Sequence, residues 1–381
     1  MDIKELRQQI NDIDTELTEL FNRRMNVSLE VAKYKSENNM PVLDKTRERE
    51  VMERAAAASD PDVQNYTRIL YSDIFNMSRS YQHKVINGNS PLNEKIKRVL
   101  DSNPKLFPEN VKVACQGVEG SYAQHACDRI FRYPIISYYE NWNGVFDAVS
   151  SGQCDYGILP IENSTAGSVN KVYDLMKTHN CFIVRSIRLK VDHSLLTKNW
   201  TKLSEINEIY SHEQALNQCS DFINSLGSGV KTVEVRNTAE AAKMVAQSDR
   251  TDVAAIASAD CSELYSLTEI QGAIQNAKNN YTRFICIAKD LQIFPGADRT
   301  SLMMTTSHKP GALYSVMSKF NAHGINLLKL ESRPLPDKDF EFMFYFDIEA
   351  SVYGDDLYSL FDELYAENYN FTYFGSYSEI L

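Results

Sequence analysis

Hydrophobic residues open this chain at a helical rhythm. Ile3, Leu6, Ile10, Ile13, Leu17 and Leu20 recur at spacings of three and four, and Val27, Val31 and Tyr34 continue the series. That spacing predicts the a/d seam of one long helix over residues 3–37, roughly 50 Å at 1.5 Å per residue, packed against other helices. A lone small domain rarely holds so long a helix, so the pattern predicts a dimer in which helices cross between chains. The seam position between Leu20 and Val27 is filled by Arg24. An unpaired guanidinium is costly to bury, so Arg24 implies either a buried anionic partner or a polar device that fixes helix register. Pro41 separates this helix from a second over 44–58 with Asp44 as its cap, and Asp60-Pro61 starts a third over 61–82.

The rhythm then changes twice. Residues 83–110, with Asn87-Gly88-Asn89-Ser90-Pro91, Pro104 and Pro108, predict a linker containing a short helix. From 111 to 290, short apolar strands (111–115, 156–161, 208–210, 232–235, 253–257) each precede a turn and a helical pattern. This is α/β wiring, long enough for two lobes with a cleft between them. From residue 300 the order is strand, helix, strand, strand, helix, strand, at 301–306, 312–323, 326–332, 340–349, 355–366 and 370–377. That is the split βαβ, ferredoxin-like arrangement, a small module that pairs with a copy of itself. The expected limits are a helical domain at 1–85, a linker at 86–110, an α/β domain at 111–290 and a C-terminal domain at 298–378.

Composition narrows the function classes. The 381 residues suggest two or three domains, and 43% hydrophobic with 24% charged residues is ordinary for a soluble protein. No run of 18 apolar residues predicts a membrane span, and the start, Met1-Asp2-Ile3-Lys4-Glu5, reads as amphipathic rather than as a signal peptide. Seven widely spaced cysteines without C-x-x-C predict reduced, buried thiols in a cytoplasm rather than a disulfide framework or a zinc site. No cofactor or metal is expected. A net charge of −11 argues against nucleic acid as a partner. An anionic substrate must then be captured by locally clustered arginine and lysine.

The helical segment supplies such a cluster. Arg24 and Lys35 lie three turns apart on nearly one face, Arg47 and Glu48 extend the inward face of the second helix, and Ser78 and Gln82 end the row begun by Leu70 and Ile74. Together they predict a polar pocket with enough positive charge for two carboxylates. Arg7 lies 17 residues from Arg24, about 25 Å along the helix, so one small ligand reaches both only if Arg7 comes from a partner subunit. This set, with Asp44, resembles the active site of the all-helical chorismate mutases at matching spacings. The resemblance implies an intertwined dimer with Arg7 crossing over. It further implies that Arg7, Arg24 and Arg47 hold the carboxylates of chorismate, Lys35 and Gln82 meet its ether oxygen, and Asp44 and Glu48 its hydroxyl. Ser78 belongs to the same set. The pericyclic conversion to prephenate then needs no nucleophile, only a compact conformer and stabilised negative charge on the breaking C–O bond.

In the α/β segment, polar turns follow strands: Gly117-Val118-Glu119-Gly120-Ser121-Tyr122, Glu162-Asn163-Ser164-Thr165-Ala166-Gly167, Ser211-His212-Glu213-Gln214 with Gln218, and Tyr281-Thr282-Arg283-Phe284. The second should present backbone N–H groups at a helix start, a ready anion site, while Ser121, Ser168 and Ser211 also read as plain helix caps. The set resembles the prephenate dehydratases, with Val118 and Glu213 replacing common prolines. The resemblance implies a periplasmic-binding-protein-type cleft. There Thr282 would meet the leaving hydroxyl of prephenate, Asn163, Ser211 and Gln218 would position it, and Ser121, Ser164, Thr165 and Arg283 would bind it. His212 is an alternative acid.

Pro310-Gly311-Ala312-Leu313-Tyr314 and Glu331-Ser332-Arg333-Pro334 resemble the signature segments of phenylalanine-binding ACT domains. This implies a regulatory site for phenylalanine between paired domains, near Gly311, Ala312, Leu313, Asn326 and Ser332. The expectation is a multidomain α and α/β protein: a helical mutase domain, a two-lobed dehydratase domain and a ferredoxin-like ACT domain, assembled as a dimer or tetramer. Two readings stand beside it: a dehydratase whose helices only dimerise, and a non-catalytic amino-acid sensor.

Overall fold

The computed structural model of the chain describes residues 2–38, 40–85, 90–102, 104–199, 201–334, 342–367 and 369–381. By internal contacts these divide into two compact units, Met1–Asp101 with Asp298–Tyr373, and Ser102–Ala297 with Phe374–Leu381. The first unit thus joins the expected helical and C-terminal segments, and the second holds the expected α/β segment.

The first unit begins with α1 (Ile3–Glu37), α2 (Lys45–Ala57), α3 (Gln64–Val85) and α4 (Pro91–Ser102). Asp44 caps α2, its carboxylate accepting from Arg47 N at 3.0 Å. One turn of 3-10 helix, Pro61–Val63, precedes α3, where a single helix from 61 was expected. The α1 seam is left open in the single chain. Ile10, Ile13, Leu17, Leu20 and Val27 are each more than half exposed, so the apolar stripe is left uncovered among the described residues. Residues 86–89 and 103 of the expected linker lie outside the described residues. Between them, α4 is docked rather than free: Ile96 is fully buried and Asn93 Nδ2 donates to Asp362 Oδ1 at 2.7 Å.

The C-terminal part of this unit has the expected βαββαβ order. Its four-stranded sheet runs Asn326–Pro334, Phe342–Glu349, Arg299–Thr305, Phe371–Tyr377, backed by helices Ala312–Ala322 and Asp355–Ala366. Residues 340 and 341 of the expected third strand lie outside the described residues. Both helices pack on α3, which buries the polar groups Asn76, Ser78, Arg79, Ser80, Gln82 and His83 while Met77 and Tyr81 stay exposed.

The second unit carries two sheets. The larger runs Glu379–Ile380, Phe182–Lys190, Tyr281–Ala288, Tyr156–Asn163, Lys112–Gln116, Ile135–Tyr139, with Gly167–Ser168 paired on Tyr156–Asn163. The smaller runs Thr268–Gln271, Ser194–Thr197, Val253–Ala257, Glu208–Ser211, Lys231–Glu234. Each has its own apolar core, around Ile158 and Cys286 in the first and around Leu196 and Ala255 in the second. The chain end is clipped to the larger sheet through Gly375, where a Cβ would lie 2.3 Å from Ile183 O and the backbone has φ +134°. Only glycine fits there.

No helix among the described residues is long and apolar enough to cross a membrane. All seven cysteines are buried thiols.

The α3 interface generates a pH prediction. Burial alone would raise the Glu363 carboxyl, but hydrogen bonds from His323, Lys319 and Ser80 and the charge of Lys319 bring it down to about 2. A carboxylate depressed when folded adds stability above its unfolded value of roughly 4.3 and loses that contribution as pH falls through its folded one. Glu363→Gln should cost about 3–5 kcal/mol near neutral pH. Thermal unfolding should show the gap from wild type closing as pH falls from the unfolded value towards 2.

Candidate active sites

The helical unit contains a cavity of about 560 Å³ between α1, α2 and α3. Its wall brings together Arg24, Lys35, Asp44, Arg47, Glu48, Ser78 and Gln82, all expected, and adds Arg23 and Arg79. Five basic residues face two acidic ones, a local excess of positive charge in a chain of net charge −11. Leu20, Val27, Val31, Val51 and Phe75 supply apolar wall, so water is partly excluded and charge interactions strengthen.

Arg24 is held over the ring of Phe75, 5.4 Å from its centroid, and its Nη1 is buried with no hydrogen-bond partner among the described residues. Burial pushes its guanidinium below the ordinary value, with Tyr71 and Glu48 pulling the other way. Lys35 Nζ donates to Val42 O at 2.7 Å, which uses one of its three donors. Gln82 Nε2 donates to Ser78 Oγ at 3.1 Å. Arg47 reaches Glu50 at 3.4 Å across an exposed helix face. Arg7 is not part of the wall.

The second unit gathers a hydrogen-bonded cluster from elements distant in sequence. Strands Tyr156–Asn163 and Tyr281–Ala288 pair antiparallel with Thr282 opposite Asn163. Asn163 Nδ2 donates to Thr282 Oγ1 and to Asn280 Oδ1, each at 2.9 Å. Gln218 Nε2 donates to Thr165 Oγ1 at 2.7 Å, while Gln218 Oε1 accepts from Asn280 Nδ2 at 3.0 Å and lies 3.0 Å from His193 Nε2. Burial pushes the His193 imidazole below its ordinary value, opposed by Gln218 and Asp192. Thr165 and Gln218 open onto a cavity of about 490 Å³ that also meets His212 and Asn217. Thr282 accepts one bond, and its own proton has no acceptor among the described residues.

Several expected roles change here. The amides of Thr165 and Ala166 are taken by Asn163 Oδ1 at 3.0 and 2.9 Å, so this turn is closed on itself and is not a ready anion site. Ser211 is fully buried and donates to Ile256 O at 2.6 Å, away from the cluster. His212 Nδ1, not Ser211, caps the helix Glu213–Gln218. Ser168 lies in the short strand Gly167–Ser168, and Val169 takes the N-cap position of the helix that follows. Ser121 does cap helix Tyr122–Ile130. Ser164 pins its loop, donating to Asn279 O and accepting from Tyr281 N, both at 2.9 Å. Arg283 points to the opposite face of its strand from Thr282, as alternation demands. There it meets Glu379 Oε2 at 2.9 Å and Tyr377 Oη at 2.9 Å, so it is not available to a substrate carboxylate. Asn280 and His193 were missed by sequence reasoning. Asn280 stands beside the Tyr281-Thr282-Arg283-Phe284 motif and could have been read with it; a lone histidine gave no signal.

In the C-terminal segment, Gly311 adopts φ +81° at the start of helix Ala312–Ala322. Ala312 and Leu313 line a hollow of about 370 Å³ with Pro310, Phe342 and Phe344. Ser332 pairs with Phe344, but Asn326 pairs with Glu349 at the far end of that ladder, roughly 17 Å away at 3.4 Å per residue.

The chain matches the family model described as chorismate mutase type II over residues 6–83 and that described as prephenate dehydratase over 113–292. It is 32% identical over 365 residues to the bifunctional chorismate mutase/prephenate dehydratase of Escherichia coli (strain K12), covering 94% of this chain and 92% of that relative. Among solved structures, the prephenate dehydratase of Arthrobacter aurescens in complex with L-Phe is similar with TM-score 0.62 and 25% identity, over 70% of this chain and 90% of that one. A chain described as a novel type of quorum quenching acylase has TM-score 0.61 and 27% identity, over 70% and 97%. With both family models matched in one chain and a bifunctional relative aligned along nearly its whole length, this chain belongs to the bifunctional chorismate mutase/prephenate dehydratases.

Proposed function

We propose that the two cavities are the two active sites of this bifunctional enzyme, which converts chorismate to prephenate and prephenate to phenylpyruvate in phenylalanine biosynthesis. The observation that carries the reading is Arg24, a guanidinium with a buried, unpartnered Nη1 in a cavity rich in positive charge. A dicarboxylate such as chorismate supplies the missing counter-charge. Arg24 and Arg47 hold its carboxylates. Lys35 and Gln82 donate to the ether oxygen as the C–O bond breaks and the new C–C bond forms, and Asp44 and Glu48 accept from the ring hydroxyl. No proton is transferred, so the rate comes from conformer selection and from donors aimed at the developing negative charge.

The domain limits at 1–85, 111–290 and 298–378 fit this division of labour. The exposed α1 seam and the position of Arg7 point to a homodimer. A second copy covers the stripe of Ile10, Ile13, Leu17 and Leu20, an apolar patch too long for a monomer to leave in water. It also brings its Arg7 to complete the pocket. The dimer, or a tetramer made from it, works in the cytoplasm.

In the dehydratase, loss of CO2 sends its electron pair into the ring and expels hydroxide, which aromatises the product. Thr282 donates its free proton in a hydrogen bond to the departing hydroxyl, because Asn163 occupies its oxygen. Asn163, Thr165 and Gln218 orient the substrate. The C-terminal segment is an ACT domain that binds phenylalanine. Gly311, Ala312 and Leu313 of one copy and Asn326 of its partner would frame the ligand, since Asn326 is too distant within one chain. The complex of L-Phe with the Arthrobacter dehydratase supports the ligand's identity.

Arg24→Ala should lower mutase kcat/KM by about a hundredfold or more and leave dehydratase turnover of added prephenate near wild type, a loss of charged hydrogen bonds worth about 3 kcal/mol. Thr282→Ala should do the reverse. Separate assays with chorismate and with prephenate check both, and parallel loss of the two activities in either variant contradicts the assignment. Phenylalanine should suppress phenylpyruvate formation in wild type, and Gly311→Val should weaken that suppression by about tenfold in concentration, through strain at a positive φ. Undiminished inhibition in that variant counts against a site at this turn.

A further inference from the structure

We infer that Arg79 is a positioning residue for the mutase reaction, holding Glu48 in place from a network anchored in the C-terminal segment. The inference rests on the mutase reading of the helical cavity. Arg79 follows Ser78 on α3, lines the cavity, and its side chain is 9% exposed. All three of its nitrogens are engaged. Nη1 donates to Glu48 Oε1, Nε to Glu367 Oε1 at 2.6 Å and Nη2 to Asn76 Oδ1 at 2.5 Å. Burial would lower this guanidinium, but Glu367 and Glu48 together hold it above its ordinary value, so it stays charged.

Glu367 lies just past helix Asp355–Ala366, and its side chain is as buried as that of Arg79. It also accepts from Lys319 Nζ at 3.0 Å. Lys319 is fully buried and pairs with Glu363 at 2.5 Å, which in turn lies 3.0 Å from His323 Nε2 and accepts from Ser80 Oγ at 2.8 Å. A continuous chain of charges therefore runs from the cavity wall to the core of the C-terminal helices, with Arg79 as the member shared by both ends. Its charge is already compensated by two carboxylates, and each of its nitrogens already donates to a protein acceptor, so it is poorly placed to serve as a carboxylate clamp for substrate. What it does is fix one oxygen of Glu48, which leaves the other to accept from the substrate hydroxyl in a defined direction. A planar fork can span Glu48 and Glu367 at once, whereas a lysine ammonium is a point charge on a flexible stem. Glu367 thus contributes to mutase geometry although it belongs to the segment assigned to regulation.

The test is a double-mutant cycle in the full-length protein, with mutase and dehydratase assayed on the same preparations. Arg79→Met should lower mutase kcat/KM by about tenfold, the loss of one charge-assisted contact, with dehydratase turnover changed less than about twofold. Arg79→Lys should recover part of the loss. In a Glu48→Gln background, Arg79→Met should cost less than about twofold further, because residues acting through one contact are not additive. Glu367→Gln keeps shape and removes charge, and should lower mutase kcat/KM by about threefold without touching the dehydratase; it decides the matter if Arg79→Met yields no folded protein. Wild-type mutase rates in Arg79→Met or Glu367→Gln overturn the inference, as does an Arg79→Met penalty of equal size with and without Glu48. A wild-type protein that leaves chorismate untouched instead sinks the reading of the cavity itself.

Discussion

Arg24 Nη1 is buried without a hydrogen-bond partner among the described residues, and a charge in that condition costs several kcal/mol unless a ligand completes it. The surrounding architecture serves to keep that condition. Phe75 stacks against the guanidinium without neutralising it. The acidic groups that could quench it are otherwise engaged: Asp44 caps its own helix and Glu48 is tied to Arg79. Lys35 is steadied by a backbone carbonyl rather than a carboxylate. The cavity therefore keeps its excess positive charge for an incoming dianion, in a chain whose net charge of −11 would otherwise repel one.

The C-terminal helices treat buried charge in the opposite way. Lys319, Glu363, Glu367, His323 and Arg79 form a connected set of ion pairs and hydrogen bonds. Such a set is stable while complete and costly to break at one member. The contrast separates structural from functional charge within one unit. Where each charge has a protein partner, it fixes the packing of α3 on the C-terminal helices. Where one does not, a ligand is required. The dehydratase cluster follows a similar logic with neutral groups, since Asn163 uses both ends of its amide and the Thr282 proton finds no acceptor among the described residues.

Periodicity made the long helix, the α/β alternation and the βαββαβ order legible, because burial on one face imposes a spacing that survives in sequence. The cavity residues were legible for the reverse reason: Arg24, Ser78 and Gln82 interrupt apolar rows. The polar end of α3 was not. Asn76, Arg79, Ser80 and His83 belong to no motif read from the sequence, yet they are buried, and Asn76, Arg79 and Ser80 bond to residues 242 to 288 positions away, which no local pattern announces. Arg283 failed for a geometric reason. It sits in a recognisable motif, but strand alternation turns it away from Thr282, and its partner Glu379 lies at the chain end. Ser211 failed similarly, as the last residue of a strand rather than the first of a helix turn.

The central claim is that the mutase pocket is completed across a dimer, and subunit complementation tests it most directly. Chains carrying Arg7→Ala alone or Arg24→Ala alone should be nearly inactive on chorismate. Co-expressed in equal amounts, they should form mixed dimers in half the population, each with one intact pocket. Mutase activity should then return to about a quarter of wild type, the share expected for random pairing in a two-fold dimer. If the mixture stays as inactive as its parents, Arg7 and Arg24 act within one chain or not in one site, and the account of the helical cavity fails.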